Sequence, residues 1–234
     1  MTIMKQIEYT SFSECGGRKN NEDYCQVVAN PDDERYLFVV CDGMGGHENG
    51  EIASQLISTT ICDYWRSHSA GSETDMILKE AFRKASEALD AKTEELDYVM
   101  MGTTMVLAAI VGNQLTIAHC GDSRCYLLRP NEGVVYETTD HVQNSGGRNL
   151  ITRCFFSFHR RHAEVDIRHF EFQIGDRLFL CTDGVSSYVN PDILRESLME
   201  NKSTEELADI VKLLCEQSYS PDNYSGILCK FGMQ

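Results

Sequence analysis

The sequence predicts an α+β fold in which helices cover antiparallel sheets, and three observations lead there. Short apolar, β-branched or aromatic runs follow one another through the middle of the chain instead of alternating with helices. Turn signals at Gly112-Asn113 and around Asn131 and Gly133 hinge neighbouring runs into hairpins, which makes the pairing largely antiparallel. Helical periodicity gathers near the start and the end.

The strand-like runs cover residues 25–29, 36–41, 104–111, 114–120, 124–129, 134–138, 177–181 and 226–231, bounded by Asp, Asn and Gly. Across residues 51–67, Ala53, Ile57, Ile61 and Tyr64 recur at helical spacing, and Ile77, Ala81, Ala85 and Ala88 do so across 75–95. A third helix starts near Pro191, because proline lacks the N–H that a first turn leaves unused. The fourth opens on Ser203 with Glu206 three residues on, a capping box, and turns Leu207, Ile210, Val211 and Leu214 inward.

At 234 residues, with no repeat, no Pro/Gly/Ser-rich linker and only 4 prolines, the expectation is a single domain spanning 1–234. Apolar residues at 42% and charged residues at 24% are ordinary for a folded chain. Lys+Arg number 21 against 36 Asp+Glu, a net charge of −15 that would repel nucleic acid and anionic membrane surfaces. Excess carboxylate either keeps the protein soluble or marks carboxylates that sit together and need cations; net charge alone does not separate the two. Residues 1–9 lack a basic stretch followed by an apolar one, and no apolar run approaches a membrane span, so a cytoplasmic protein is expected. The 10 cysteines are scattered without C-x2-C spacing and read as free thiols. Zinc is disfavoured, since Cys120 and Cys125 have no matching second pair, and Cys41, Cys181 and Cys229 read as small buried hydrophobes.

The chemistry lies in where the aspartates fall. Asp42 follows the apolar run 37–41, Asp183 follows 178–181 with only Thr182 between, and Asp222 precedes the last strand. Asp42 and Asp183 are each followed at once by Gly, which lets backbone approach a ligand closely. Asp122 sits in Gly121-Asp122-Ser123-Arg124, just after another strand. Taken singly, an Asp-Gly pair is an ordinary turn. Gathered carboxylates, however, raise one another's pKa unless a cation neutralises them, and oxygen-only ligation suits Mg2+ or Mn2+. Two such ions about 3.5 to 4 Å apart can acidify a shared water and clamp a phosphoryl group for in-line attack, which is phosphatase chemistry.

Several motifs occur in a fixed order: Gly17-Arg18-Lys19-Asn20-Asn21-Glu22-Asp23, Asp42-Gly43-Met44-Gly45-Gly46, Gly102-Thr103-Thr104, Gly121-Asp122-Ser123-Arg124, Gly175-Asp176 ahead of Thr182-Asp183-Gly184, and Asp222-Asn223. In this the chain resembles the metal-dependent protein phosphatases (PPM, the type 2C Ser/Thr phosphatases) of compact bacterial style, over nearly its whole length. The resemblance implies a four-layer α-β-β-α sandwich of two antiparallel sheets flanked by helix pairs. It also implies hydrolysis of phosphoserine and phosphothreonine in proteins by a metal-bridged hydroxide, without a phosphoenzyme, opposing a bacterial Ser/Thr kinase. Asp42 would bridge two Mg2+ or Mn2+ ions, with the Gly43 carbonyl as a further ligand, and Asp183 and Asp222 would complete the second. Asp23, and less directly Glu22, would hold metal-bound waters, Arg18 would bind phosphate, and Asp122 would join Asp183 at a third, weaker ion. Partners would be phosphoproteins and the kinase, and the protein would be a monomer. Two alternatives stay open: a low-activity or inactive phosphoprotein-binding module of the same fold, and a partner-switching phosphatase acting on anti-anti-sigma factors.

The pattern also departs from the family. Where some members carry a histidine directly after Asp-Gly, this chain has Met44, and His47 is either a substitute acid or a surface histidine. Ser187 stands where many relatives carry an acidic residue, which should weaken a third metal. After Thr139-Asp140-His141 only residues 142–147 precede Arg148-Asn149-Leu150-Ile151-Thr152-Arg153, so the helical flap usual in the family is much shortened. Residues 155–162, Phe-Phe-Ser-Phe-His-Arg-Arg-His, are locally basic and aromatic, and read as an ordinary loop with one or two buried aromatics.

Overall fold

The computed structural model describes residues 5–45, 49–68, 73–146, 148–159 and 163–233. Strand β3 (Arg35–Gly45) explains why the apolar runs are continuous: each of its faces is buried against a different layer. Phe38 and Val40 enter the space between two sheets, whereas Leu37, Val39 and Cys41 pack beneath helices.

One sheet centres on β3, which pairs on one side with β2 (Asp23–Asn30) and on the other with β5 (Met105–Val111), then β6 (Gln114–Cys120) and β12 (Asp166–Glu171). The end of β3 continues into β4 (Met101–Thr103) and β11 (Phe155–Phe156). The second sheet has the order β1 (Lys5–Glu14), β14 (Tyr224–Met233), β13 (Arg177–Cys181), β7 (Arg124–Arg129), β8 (Gly133–Glu137). Pairing is antiparallel throughout both sheets. The Gly112-Asn113 turn joins β5 to β6, and the Asn131 turn joins β7 to β8, as the sequence predicts.

Helices α1 (Gly50–Arg66) and α2 (Thr74–Glu95) cover the first sheet with Ala53, Ile57, Ile61, Leu78 and Ala81. The second is covered by the one-turn α3 (Asp183–Ser186), α4 (Pro191–Leu198) and α5 (Thr204–Gln217), whose Leu194, Leu207 and Val211 meet Phe179, Cys181 and Leu228. The Ser203/Glu206 capping box is formed at α5, and at α4 the Asn190 side chain accepts from the Asp192 and Ile193 N–H groups at 3.0 and 3.2 Å. The result is α-β-β-α, an α+β fold.

The structure adds strands that hydrophobic runs do not announce. β1 and β12 are sheet edges, with one neighbour each and polar residues interspersed. The segment expected to be a shortened flap is a separate two-stranded hairpin of β9 (Val142–Ser145) and β10 (Arg148–Ile151). All ten cysteines are free thiols, and all but Cys15 and Cys25 are buried. Among the described residues, no helix is long and apolar enough to cross a membrane.

Candidate metal centre

Asp42 lies near the end of β3, opposite Asp23 of β2 in the antiparallel register. Its backbone is pinned: the N–H donates to Thr104 Oγ1 at 3.1 Å, and its carbonyl accepts from the Thr104 N–H at 2.9 Å and Thr103 Oγ1 at 2.8 Å. The neighbouring Gly43 N–H donates to the Glu22 carbonyl at 3.1 Å. A Cβ at Gly43 would lie 2.2 Å from the Gly50 carbonyl oxygen and 2.7 Å from that of Glu22, so no side chain fits there.

Asp183 and Asp222 come from the second sheet. Thr182 leaves β13 in an extended conformation and Asp183 opens α3, while Asp222 sits just before β14. A Cβ at Gly184 would lie 1.9 Å from the Asn223 carbonyl oxygen; the bare glycine lets the Asp222 loop press against α3. The Asn223 amide donates to the carbonyls of Cys15 at 2.9 Å and Asn20 at 2.8 Å, and its oxygen accepts from the Glu22 N–H at 3.0 Å. One side chain thus ties the loop carrying Arg18 and Glu22 to the loop carrying Asp222. Asp122 occupies the crossing from β6 in the first sheet to β7 in the second, where Ser123 and Thr104 hydroxyls meet at 2.7 Å.

These residues surround one cleft of about 360 Å3. Asp42, Asp122, Asp183 and Asp222 form its acidic wall, Glu22 and Gly43 border it, and Met44 and Ile151 close one side. Arg18 stands at its mouth, with Nη2 donating to Asp222 Oδ2 at 2.7 Å. Asp23 is buried and accepts from Thr182 Oγ1 at 2.9 Å, while Glu22 faces the cleft. His47 lies outside the described residues, and Ser187 caps the C-terminal end of α3.

The electrostatics are those of a site short of positive charge. Burial, then repulsion from Asp23, Asp183, Asp122 and Asp222, holds the Asp42 carboxyl well above the usual carboxylate range. Burial and then Asp183 push Asp122 to about 7, and burial pushes Asp23 to about 7 against the hydrogen bonds from Ser225 and Thr182. Asp183 is raised by burial and by Asp222, and Glu22 by burial, with Arg18 pulling it back. Asp122 Oδ1 is buried with no hydrogen-bond partner. A hard divalent cation fits this set: all donors are oxygens, one is unsatisfied, and the mutual repulsion is what such a cation relieves.

The described residues contain another group with ligand-like spacing, His119, His141 and Asp166. Arg153 Nη1 already contacts Asp166 Oδ1 at 3.1 Å, and His119 Nε2 meets the Thr139 carbonyl at 2.9 Å, so this cluster has its cation and its partners. It anchors the flap to β6 and β12. Sequence reasoning gave no role to Thr103, Thr104, Thr182 or Asn223, which hold the carboxylates in place. Their side chains carry no metal-ligand signal, although each sits within or beside a quoted motif.

The protein phosphatase 2C family model matches residues 16–222. The chain is 29% identical over 230 residues to the serine/threonine phosphatase stp of Listeria welshimeri, covering 90% of each. It is 31% identical over 239 residues to the serine/threonine protein phosphatase PstP of Mycobacterium tuberculosis, covering 95% of this chain and 44% of that protein. The structure of the PstP catalytic domain in complex with 2 manganese ions matches at a TM-score of 0.82 and 30% identity, covering 97% of this chain and 99% of that one. PppA, a regulatory component of T6SS in Pseudomonas aeruginosa, matches at a TM-score of 0.81 and 26% identity, covering 98% and 100%. With fold, motif order and family model in agreement over most of its length, the chain belongs to the protein phosphatase 2C family.

Proposed function

We propose that this chain is a metal-dependent protein-serine/threonine phosphatase, a phosphoric monoester hydrolase. The observation that carries the reading is the convergence of Asp42, Asp122, Asp183 and Asp222, from both sheets, on one cleft with Arg18 at its mouth. Asp42 would be shared by two Mn2+ or Mg2+ ions, with the Gly43 carbonyl as a further ligand to one of them, and Asp183 and Asp222 would complete the second. Asp122 would join Asp183 at a third, weaker ion, and Asp23, and less directly Glu22, would hold metal-bound waters. Divalent ions held there supply acidified water and neutralise charge on the phosphoryl group.

The chain's own residues do the rest. Arg18 exchanges Asp222 for phosphate oxygens, which its planar fork fits. Thr103 and Thr104 hold Asp42 in place, so little reorganisation accompanies the reaction. Direct hydrolysis is favoured over a cysteinyl intermediate, because burial pushes the Cys41 and Cys181 thiols well above their usual range and Cys154 to about 11. The natural setting proposed is a cytoplasmic monomer, one domain across 1–234, that counters a Ser/Thr kinase in signalling.

The test is hydrolysis of p-nitrophenyl phosphate and of a phosphothreonine peptide. Turnover should require Mn2+ or Mg2+ and be abolished by EDTA and by Asp42→Ala; turnover indifferent to metal would refute the reading. For the kinase, phosphoproteins should accumulate when the gene is deleted, and an unchanged phosphoproteome counts against that part.

A further inference from the structure

A second cavity, of about 580 Å3, opens beside the metal cleft. Met44 and Ile151 line both, so the two spaces share a wall. The rest of the second cavity is lined by Leu150, Cys154 and Phe156 together with the polar Asn149 and His159. Apart from those two, its lining is aliphatic, aromatic or sulfur-bearing, in a chain whose net charge is −15. Burial raises the Cys154 thiol to about 11, so that group is uncharged near neutral pH.

Two independent pieces of backbone shape the cavity. β11 pairs with β4 through Phe155 opposite Thr103 and Phe156 opposite Gly102. Phe155 enters the core beneath α1 and α2, and strand alternation turns Phe156 the other way, to the cavity. The flap hairpin supplies Leu150 and Ile151 from β10, and Leu150 is 54% exposed at the lip. An exposed leucine beside a partly buried phenylalanine and methionine is a surface that gains by being covered.

What covers it follows from the neighbouring cleft. A phosphorylated side chain that reaches Asp42 brings its own backbone to the cleft mouth, and the residues flanking it must run along a wall. Met44 is two residues from Asp42, and an extended chain advances about 3.3 Å per residue. The cavity is therefore reached by a side chain one or two residues from the phosphorylated one.

We propose that this cavity is a specificity pocket for an aliphatic or aromatic side chain within two residues of the phosphoserine or phosphothreonine. The proposal rests on the phosphatase reading of the adjoining cleft and names the class of substrate sequence it prefers. Met44 suits such a role, since its flexible thioether adapts to side chains of different shape.

The experiment uses the full chain with Mn2+ and phosphothreonine peptides of equal charge, with Leu or Asn placed in turn at each of the two positions on either side. Two readouts run in parallel: kcat/KM for phosphate release, and peptide affinity by fluorescence polarisation, which reports the pocket even without turnover. At one position at least, Leu should be favoured over Asn by roughly tenfold or more. Leu150→Glu, at an exposed site, and Phe156→Ala should each bring that ratio close to unity. Using the ratio cancels any general repulsion of phosphopeptides by the new carboxylate. Equal values for Leu and Asn at every position, or a preference that survives both variants, would overturn the pocket. Failure of p-nitrophenyl phosphate hydrolysis in the same preparation would strike the phosphatase reading instead, and the polarisation ratio would still decide the pocket.

Discussion

Stripping divalent cations and raising the pH should make this protein easier to unfold, and the carboxylates around the cleft set the size of the effect. Asp23 and Asp122 sit at about 7, against 3.8 for an ordinary aspartate. Between about pH 4 and about pH 7 the metal-free folded chain keeps protons that the unfolded chain has released. Stability is therefore greatest below about pH 4 with respect to these groups, declines as pH rises, and levels off above about 7. At about 1.4 kcal/mol per tenfold change in proton affinity, one such carboxyl accounts for roughly 4 kcal/mol at most. Because the carboxyls titrate as an interacting set, a combined loss of about 4 to 6 kcal/mol is expected rather than the full sum. That is a large share of the roughly 5 to 15 kcal/mol typical of a domain. The assay is urea unfolding at intervals from about pH 5 to about pH 8, with EDTA or with excess Mn2+. Cations and protons compete for the same oxygens, so the Mn2+ stabilisation should widen as pH rises. Asp42→Asn removes the ionisable group that burial and four neighbouring carboxylates disfavour; without metal it should be more stable than the wild type at about pH 8, and it should lose most of the Mn2+ response. A metal-free wild type whose stability stays level or climbs over this range would refute the reasoning.

Other changes probe the supports of the site. Gly184→Ala places a methyl 1.9 Å from the Asn223 carbonyl oxygen, and should cost about 2 to 4 kcal/mol and weaken Mn2+ binding, read by thermal unfolding and calorimetry. Asn223→Ala removes three hydrogen bonds that tie two loops together; a loss of about 2 to 4 kcal/mol and faster proteolysis near residues 15–22 are expected. Arg18→Ala should lower kcat/KM for a phosphopeptide by about 10- to 100-fold, and Arg18→Lys should restore only part, because an ammonium lacks the paired donors. Full recovery with lysine would mean that charge alone matters.

How much could be read in advance depended on how each segment is buried. β3, β5 and β13 announce themselves because both faces of each are covered, so residues 36–41, 105–111 and 178–181 form unbroken apolar runs. β1 and β12 are edge strands with mixed polarity, β4 and β11 are only 3 and 2 residues long, and α3 is 4 residues long, too short for any period to emerge. The aspartates were legible because each falls where an apolar run stops or begins. The supports were not: whether Thr182 reaches Asp23, or Asn223 bridges two loops, depends on contacts between segments 159 and 208 positions apart. The cavity behind Met44 was equally hidden, since Leu150 and Phe156 become neighbours only through the flap hairpin and the β4–β11 pairing.

Asp42 is carried by one sheet, Asp183 and Asp222 flank strands of the other, and Asp122 lies on the crossover between them. The spacing of the reactive centre is thus inherited from the thickness of the greasy layer that includes Phe38, Val40, Leu180 and Ile227. A bulkier residue in that layer would pry the carboxylate oxygens of the cleft apart without touching any of them. Sequence drift in the interior is constrained by chemistry as well as by folding, and catalytic loss can arise from a methylene added well away from the cleft.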